Sequence, residues 1–308
     1  MSIAKRIKLM RTQWQLYLFL LLPVIYIIVF AYVPMAGIQI AFKNFSARYG
    51  IWGSPWLGFD QFIKFFQSYM FSRVVINTLR LSVYSIVAGF PIPIIFALIV
   101  NSIRQQKFKK TLQTITYIPH FISTVVLVGM VLQILNPRIG LYGSLFSLLN
   151  NGASPSDLMG NVSTFPHIYI WSGVWQNFGW GSIIYVAALS GVSMDLHEAA
   201  EIDGASRFQR LIHIDFPSIL PTVTIMLIMR TGQVMSIGFE KVYLMQNNLN
   251  LSASEIISTY VYKVGLSASG NMNFSYSTSI GLFNSVINLI LILSVNYLAK
   301  KMSETSLW

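Results

Sequence analysis

The residues that most often carry hydrolytic chemistry are not arranged for it in this chain. Its four histidines, His120, His167, His197 and His213, form no His-Glu-x-x-His pair that would hold zinc. No serine lies in a Gly-x-Ser-x-Gly turn. There is no cysteine, which excludes thiol catalysis, thiolate metal sites and disulfides. The pattern does not favour an enzyme.

A second set of residues is suited to holding a polar solute. Gln176 and Asn177 are adjacent in an apolar stretch, beside Trp175 and Trp180, so amides that can bind hydroxyls lie next to flat aromatic faces that can pack on sugar rings. Lipid offers such amides no partner, so they face a bundle interior or a watery cavity. They are equally suited to hydrogen bonds between helices.

Two more polar residues in apolar stretches each have two interpretations. His120 either binds a ligand or makes an interhelical hydrogen bond. Arg230 either pairs within an assembly or extends towards the membrane interface. Choosing between these interpretations requires knowing where the surrounding helices lie.

Those elements are membrane spans. Of 308 residues, 54% are hydrophobic and only 10% are charged, and the mean hydropathy of +0.60 is too high for an ordinary soluble domain. A crossing helix needs roughly 20 mostly apolar residues. The sequence therefore predicts an all-α membrane protein with six transmembrane helices, near 14–35, 79–101, 112–135, 166–190, 218–239 and 276–299.

The basic residues indicate how these spans are oriented. Lysine and arginine collect on the cytoplasmic side of a membrane, and with both termini inside, the inner segments hold most of them. Scattered flanking charges of this kind do not form a nucleic-acid-binding stripe. We predict a cytoplasmic segment at 1–13, one membrane domain at 14–299 and a cytoplasmic tail at 300–308. The inner basic residues are Lys5, Arg6, Lys8, Arg11, Arg104, Lys107, Lys109, Lys110, Arg207, Arg210, Lys300 and Lys301.

The stretch EAAEIDGASRFQRLIHIDFP at 198–217 is a polar interruption between two apolar runs. Asp195 with Glu198, and Ser206 with Gln209, have the spacing of capping boxes, which predicts short helices near 196–203 and 207–215. Gly204 between them fits the left-handed residue that closes a helix. A solvated connector would need neither two caps nor this glycine.

The run Glu198-Ala199-Ala200, followed by Gly204, Ile214 and Pro217, resembles the EAA loop of the membrane subunits of binding-protein-dependent ABC importers. The resemblance implies a type I ABC importer transmembrane domain whose loop, at about 193–217, is a coupling helix that docks on a separate ATPase. It assigns that role to Glu198, Ala199, Ala200, Asp203 and Gly204. The usual Ile-x-Leu-Pro ending is replaced here by Ile214-Asp215-Phe216-Pro217.

Further stretches are similar to the maltose-type sugar permeases, in particular to their complex-oligosaccharide branch in Gram-positive bacteria. They are FKNFSARYGIWGSPWLGFDQF at 42–62, NTLRLSVYS at 77–85, YIPHFIS at 117–123, GWGSIIYVAALSG at 179–191, TYVYKVGL at 259–266 and the ending SLW. This similarity implies a multi-pass protein of the cell membrane. It also implies three kinds of partner: a second, different permease subunit, two ATPase subunits or an ATPase homodimer, and an extracellular sugar-binding lipoprotein.

The same similarity implies which residues line the sugar path and where ATP is used. An ungapped comparison places the path at His120, Thr124, Gly173, Gln176, Asn177, Val234, Met235 and Gly238. The chain contains no Gly-Lys dipeptide and so no phosphate-binding loop ending in Gly-Lys-Ser/Thr. ATP and magnesium are therefore expected in the partner ATPase, with no cofactor in this chain.

The main alternative is a self-contained secondary transporter or channel for a polar solute. Such a protein would couple transport to ions through acids within its spans. Apart from Glu240, near one predicted outer end, the predicted spans contain no aspartate or glutamate. The sequence therefore favours an ATP-driven importer of an oligosaccharide.

Overall fold

The computed structural model describes residues 12–266 and 272–302. This part of the chain is helical, and its one pairing outside the helices is an antiparallel bridge between Lys43 and Trp56. The predicted cytoplasmic segment up to residue 11, its four basic residues, and the tail from 303 with the SLW ending lie outside the described residues. The described residues fall into two compact units: 12–66 with 264–266 and 272–282, and 67–263 with 283–302.

The first unit begins with a long apolar helix, α1, at Trp14–Phe42. The helix is a π-helix at Ile28–Tyr32 and a 3₁₀-helix at Ala36–Phe42. None of its most apolar stretch is buried. Its surface is therefore left for lipid or another chain to cover.

The segment after α1 folds back around a buried lysine. The Lys43 ammonium donates a hydrogen bond to the Ile51 carbonyl at 2.8 Å and lies 4.7 Å from the centre of the Trp56 ring. Helix α2, Asp60–Gln67, follows, and its Phe65 is fully buried. These contacts fix an aromatic segment after the first apolar helix.

The second unit contains most of the remaining helices. Two of the boundaries between the units, at 263/264 and at 282/283, fall within the last two helices of the chain. The helices are α3 Tyr69–Asn101, α4 Gln106–Phe121, α5 Thr124–Ile134, α6 Leu141–Leu149, α7 Phe165–Gly181, α8 Ile183–Leu189, α9 Met194–Ile202, α10 Arg207–Thr231, α11 Phe239–Met245, α12 Ile257–Leu266 and α13 Phe274–Met302.

Two apolar clusters hold the second unit together, and both use α3. The first packs Leu81 of α3 against α5, α7 and α11 through buried side chains such as Val128, Phe165 and Val242. The second packs the later part of α3 on α8 and α10. Its members are Ile94, Ala97, Leu98, Tyr185, Leu189 and Ile219.

Four helices in the described part of the chain are long and apolar enough to cross a membrane: α1, α3, α10 and α13. Helices α4 and α5 make a fifth if the pair, bent by 96°, counts as one span. The predicted span at 166–190 corresponds to α7 and α8, which are separated at Ser182. With 17 and 7 residues, neither helix alone is long enough to be counted as a span. The six-span count therefore stays a prediction.

Two predicted spans were wrong as continuous helices. The span at 112–135 breaks at Ile122 and Ser123, because Pro119 starts a tight turn and the Ser123 hydroxyl then caps α5 by accepting from the Val126 amide. The span at 218–239 is helical only to Thr231, and α11 starts anew at Phe239 after Gly238.

The crossing of α4 and α7 depends on a glycine. A Cβ on Gly179 would lie 2.1 Å from the backbone oxygen of Thr116, a contact that only a backbone shift can relieve. Gly181, two residues later, would place its Cβ 3.5 Å from Pro93, an ordinary contact. Only the first position requires the absence of a side chain.

We therefore expect Gly179→Ala to destabilise the folded protein, since overpacking of a tight contact costs about 1–3 kcal/mol. The measurement is the melting temperature of the detergent-solubilised protein, and Gly181→Ala is the matched control. Equal melting temperatures for the two variants would contradict the tight crossing.

Candidate coupling loop and translocation path

Helix α9 begins at a serine cap. The Ser193 hydroxyl accepts a hydrogen bond from the Asp195 amide at 3.2 Å, and the helix runs from Met194 to Ile202. The predicted cap at Asp195 was wrong, because Ser193, two residues earlier, caps the helix and leaves Asp195 inside the first turn. An acidic residue there still stabilises the helix N-terminus.

The end of α9 confirms the prediction for Gly204. This residue has φ +80°, in the left-handed region. Its amide donates to the Glu201 carbonyl at 3.1 Å, and the Ala205 amide donates to the Ala200 carbonyl at 2.8 Å. These two bonds form a Schellman motif, which closes the helix at its last free carbonyls.

The second predicted capping box is also present. The Gln209 amide donates to the Ser206 hydroxyl at 3.3 Å, and the Ser206 amide donates to the Gln209 side-chain oxygen at 2.7 Å. The predicted end at 215 was wrong, because α10 continues through a widened turn at Leu211–Asp215 into the apolar run. Such a turn accommodates Pro217, which has no amide hydrogen to donate.

The five predicted coupling residues lie together on this short helix and its cap. Glu198, Ala199, Asp203 and Gly204 are exposed, and Ala200 is half-buried. Large apolar side chains beside them are exposed as well, with Ile202 87% accessible. The others are Met194, Leu196 and Phe208. Exposed apolar groups of this kind in a polar loop are typical of a protein-docking surface.

Charged side chains of α9 also tie it to α10 and to the residues just after α3. Arg210 donates to the Glu201 carboxylate at 2.6 Å, and Arg104, just beyond α3, lies 3.8 Å from the same carboxylate. The hydrogen bond and charge of Arg210 hold the pKa of Glu201 below its usual value. The tie therefore persists at neutral pH and is lost only as the pH falls through this lowered pKa.

A second tie lies beside the first. The His197 Nε2 atom is 3.2 Å from the Asp215 carboxylate, which also accepts a 3.4 Å hydrogen bond from Asn101. Neither tie was predicted from the sequence. Their signal was the four-residue spacing of His197 and Glu201, which places them on one face of a helix.

Polar side chains form hydrogen bonds with backbone amides and carbonyls where the apolar helices break. The Gln176 amide donates to the Ile122 carbonyl at 2.8 Å, at the break between α4 and α5. After α10, the Ser82 hydroxyl donates to the Val234 carbonyl, and the Met235 amide donates to the Asn288 side-chain oxygen at 3.0 Å. These side chains satisfy groups that hydrocarbon would leave without a partner.

A cavity of about 210 Å³ lies among α3, α7, α10 and α11. Four predicted path residues line it: Gly173, Gln176, Asn177 and Gly238. A second cavity of about 220 Å³ is lined by Val234 and, again, Gly238. Ser85, Tyr169, Arg230 and Gly238 line both cavities, so they form adjoining parts of one polar region.

The remaining predicted path residues line neither cavity. His120 is half-buried, with its Nδ1 atom 3.0 Å from the Asn177 side-chain oxygen and its ring stacked 4.6 Å from Trp180. Met235 is buried, and Thr124 is half-buried in the first turn of α5. The path role of all eight residues stays a prediction.

Two cations that were not predicted to lie in the path also line the cavities. Arg230, near the end of α10, is exposed and lines both. Lys241 on α11 lines the first, and its ammonium donates to the Tyr169 carbonyl at 2.8 Å. Their place was not evident from the sequence, because the apolar run around them gives no sign that α10 ends at Thr231.

Comparison with known proteins decides the family. Residues 89–304 match the model of the binding-protein-dependent transport system inner membrane component. The chain belongs to this family of ABC transporter permeases. The match includes the loop at 193–217 and every predicted path residue.

Relatives and a solved structure are similar to this permease over nearly its whole length. Protein LplB of Bacillus subtilis is 39% identical over 97% of this chain and 92% of its own length. The polygalacturonan/rhamnogalacturonan transport system permease protein YteP of the same organism is 39% identical over 98% of this chain and 92% of its own. A chain of a bacterial ABC transporter involved in the import of the acidic polysaccharide alginate matches with TM-score 0.88 and 35% identity, covering 97% of this chain and 99% of that one.

In this permease, we expect Arg210→Ala to loosen α9, because Glu201 loses its 2.6 Å hydrogen bond. Hydrogen exchange of the amides at 197–203 should become faster. Arg207→Ala is the matched control, since Arg207 lies in the same turn and makes no ion pair within the described residues. Unchanged exchange in Arg210→Ala would show that the tie does not hold the helix.

Proposed function

We propose that this chain is a transmembrane subunit of an ATP-driven importer that translocates an oligosaccharide delivered by an extracellular binding lipoprotein. The observation that carries the proposal is the family match, which spans the loop at 193–217 and most of the residues that line the two cavities. YteP is named as the permease protein of a polygalacturonan/rhamnogalacturonan transport system, and the similar structure belongs to a transporter involved in the import of alginate. Both support a saccharide as the transported molecule.

The loop at 193–217 would couple transport to a separate ATPase. In this proposal the ATPase contacts the exposed face of α9 formed by Glu198, Ala199 and the neighbouring apolar side chains. The ties of Glu201 to Arg210 and of His197 to Asp215 would then pass its movement directly to α10.

Helix α10 connects the two candidate sites without a break. It has 25 residues between Arg207 and Thr231 and, at about 1.5 Å per residue, spans roughly 37 Å. Its beginning carries the ties to α9, and its end carries Arg230 at the cavities. A displacement of the loop would therefore be felt at the path through one rigid element.

The proposal includes a particular assembly and location. The chain would pair with a second, different permease subunit and with two ATPase subunits or an ATPase homodimer, which bind ATP and magnesium. It would cross the cell membrane six times with both termini inside. The Bacillus relatives favour a Gram-positive cell membrane.

Family membership favours this proposal over a self-contained secondary transporter or channel. We expect the chain, purified from its native membrane in mild detergent, to bring with it a second permease subunit and an ATPase. ATP hydrolysis by that complex should rise when a sugar-loaded lipoprotein is added. Recovery of the chain alone, with transport driven by an ion gradient in liposomes, would overturn the proposal.

We expect Gly204→Val to lower ATP-driven uptake by about tenfold or more, because a β-branched residue at φ +80° is strained. The permease should still reach the membrane in normal amount. Gly204→Asn is the matched control, since asparagine adopts left-handed backbone more easily. Normal uptake by the valine variant would exclude a coupling role for this cap.

A further inference from the structure

The two cavities contain cations without carboxylates. Arg230 and Lys241 are the charged residues among those that line them, and no aspartate or glutamate of the described chain joins them there. Neither cation forms an ion pair within residues 12–266 and 272–302. The polar region therefore carries net positive charge.

Lys241 is held in place without being neutralised. Its ammonium donates to the Tyr169 carbonyl and lies 5.0 Å from the centre of the Tyr169 ring. It also lies 3.0 Å from where a Cβ of Gly173 would be, so the glycine leaves the room that it occupies. A carbonyl and an aromatic face position the cation but leave its charge uncompensated.

Arg230 completes the arrangement from another helix. Its guanidinium is exposed at the end of α10 and borders both cavities. A guanidinium binds a carboxylate through two parallel hydrogen bonds, whereas an ammonium acts as a point charge. Together with the amides of Gln176 and Asn177, the cavities offer donors for both acidic and hydroxyl groups.

We propose that the substrate is an anionic oligosaccharide whose rings carry carboxylates, and that Arg230 and Lys241 select it within the path. This inference rests on the proposed function and narrows its substrate class. The cations are expensive in a membrane protein unless they face water or a partner. A carboxylated sugar would supply the missing negative charge during passage and then leave with it.

The test uses the complete complex in proteoliposomes, supplied with its lipoprotein and with short uronate oligosaccharides. Each acidic sugar is compared with its carboxyl-reduced form, which keeps the same rings and linkages. We expect ATP-driven uptake of at least one acidic sugar and weaker uptake of its reduced form. Arg230→Gln and Lys241→Gln should each lower acidic uptake by about tenfold, the effect of losing a hydrogen bond to a charged group.

Two further variants control for folding and for charge in general. Arg73→Gln removes an exposed arginine of α3 that lines neither cavity, and we expect it to leave uptake unchanged. Arg230→Lys keeps the charge but loses the paired hydrogen bonds, so we expect it to retain more uptake of the acidic sugar than Arg230→Gln does. Co-purification of the partner subunits should be the same for every variant.

Several outcomes would overturn the inference while leaving the proposed function intact. Equal uptake of acidic and reduced sugars would do so, as would normal acidic uptake by both glutamine variants. Loss of the second permease subunit from Arg230→Gln would show that Arg230 pairs with that subunit. In contrast, a wild-type complex that imports no oligosaccharide with ATP would contradict the proposed function itself.

Discussion

Hydrocarbon provides no hydrogen-bond partner, and this constraint determines how the chain departs from helix within its apolar regions. Both breaks are covered by side chains from other helices. Gln176 completes the backbone at Ile122, where α4 meets α5. Ser82 and Asn288 do the same after α10, at Val234 and Met235. Each break is thereby fixed in position, and Gln176, Ser82 and Val234 also line the cavities.

The same constraint explains which features the sequence could predict. Local signals were sufficient for Gly204 and for the Ser206 cap, because their hydrogen bonds join residues only a few positions apart. Hydropathy located the apolar runs but not the breaks at Ile122 and Thr231, since an apolar run stays apolar whether or not its backbone is helical. A break becomes visible only when the distant side chain that completes it is known.

Tertiary ion pairs were out of reach for the same reason. Glu201 could be placed on a helix face, but nothing in the spacing of residues identifies Arg104 as one of its neighbours. In the predicted path, residues that the sequence groups together make different contacts in the structure. Polarity alone grouped Gln176 with Asn177. In the structure, Gln176 donates a hydrogen bond to a backbone carbonyl, and Asn177 contacts His120. Two adjacent amides with the same side-chain chemistry thus make different contacts.

Some polar residues around the cavities hydrogen-bond to the backbone at the helix breaks. The two cations, Arg230 and Lys241, have a different position. Arg230 and Lys241 complete no break, and the carbonyl that Lys241 contacts belongs to Tyr169, inside the regular helix α7. A transport path must attract its substrate without trapping it, as ion pores also must. In the proposed path, an exposed arginine and a half-buried lysine would meet this requirement, because water weakens their attraction for an anion relative to a dry site. Full burial would strengthen the attraction but would also raise the cost of the empty path, since the cations would then have neither water nor a carboxylate around them.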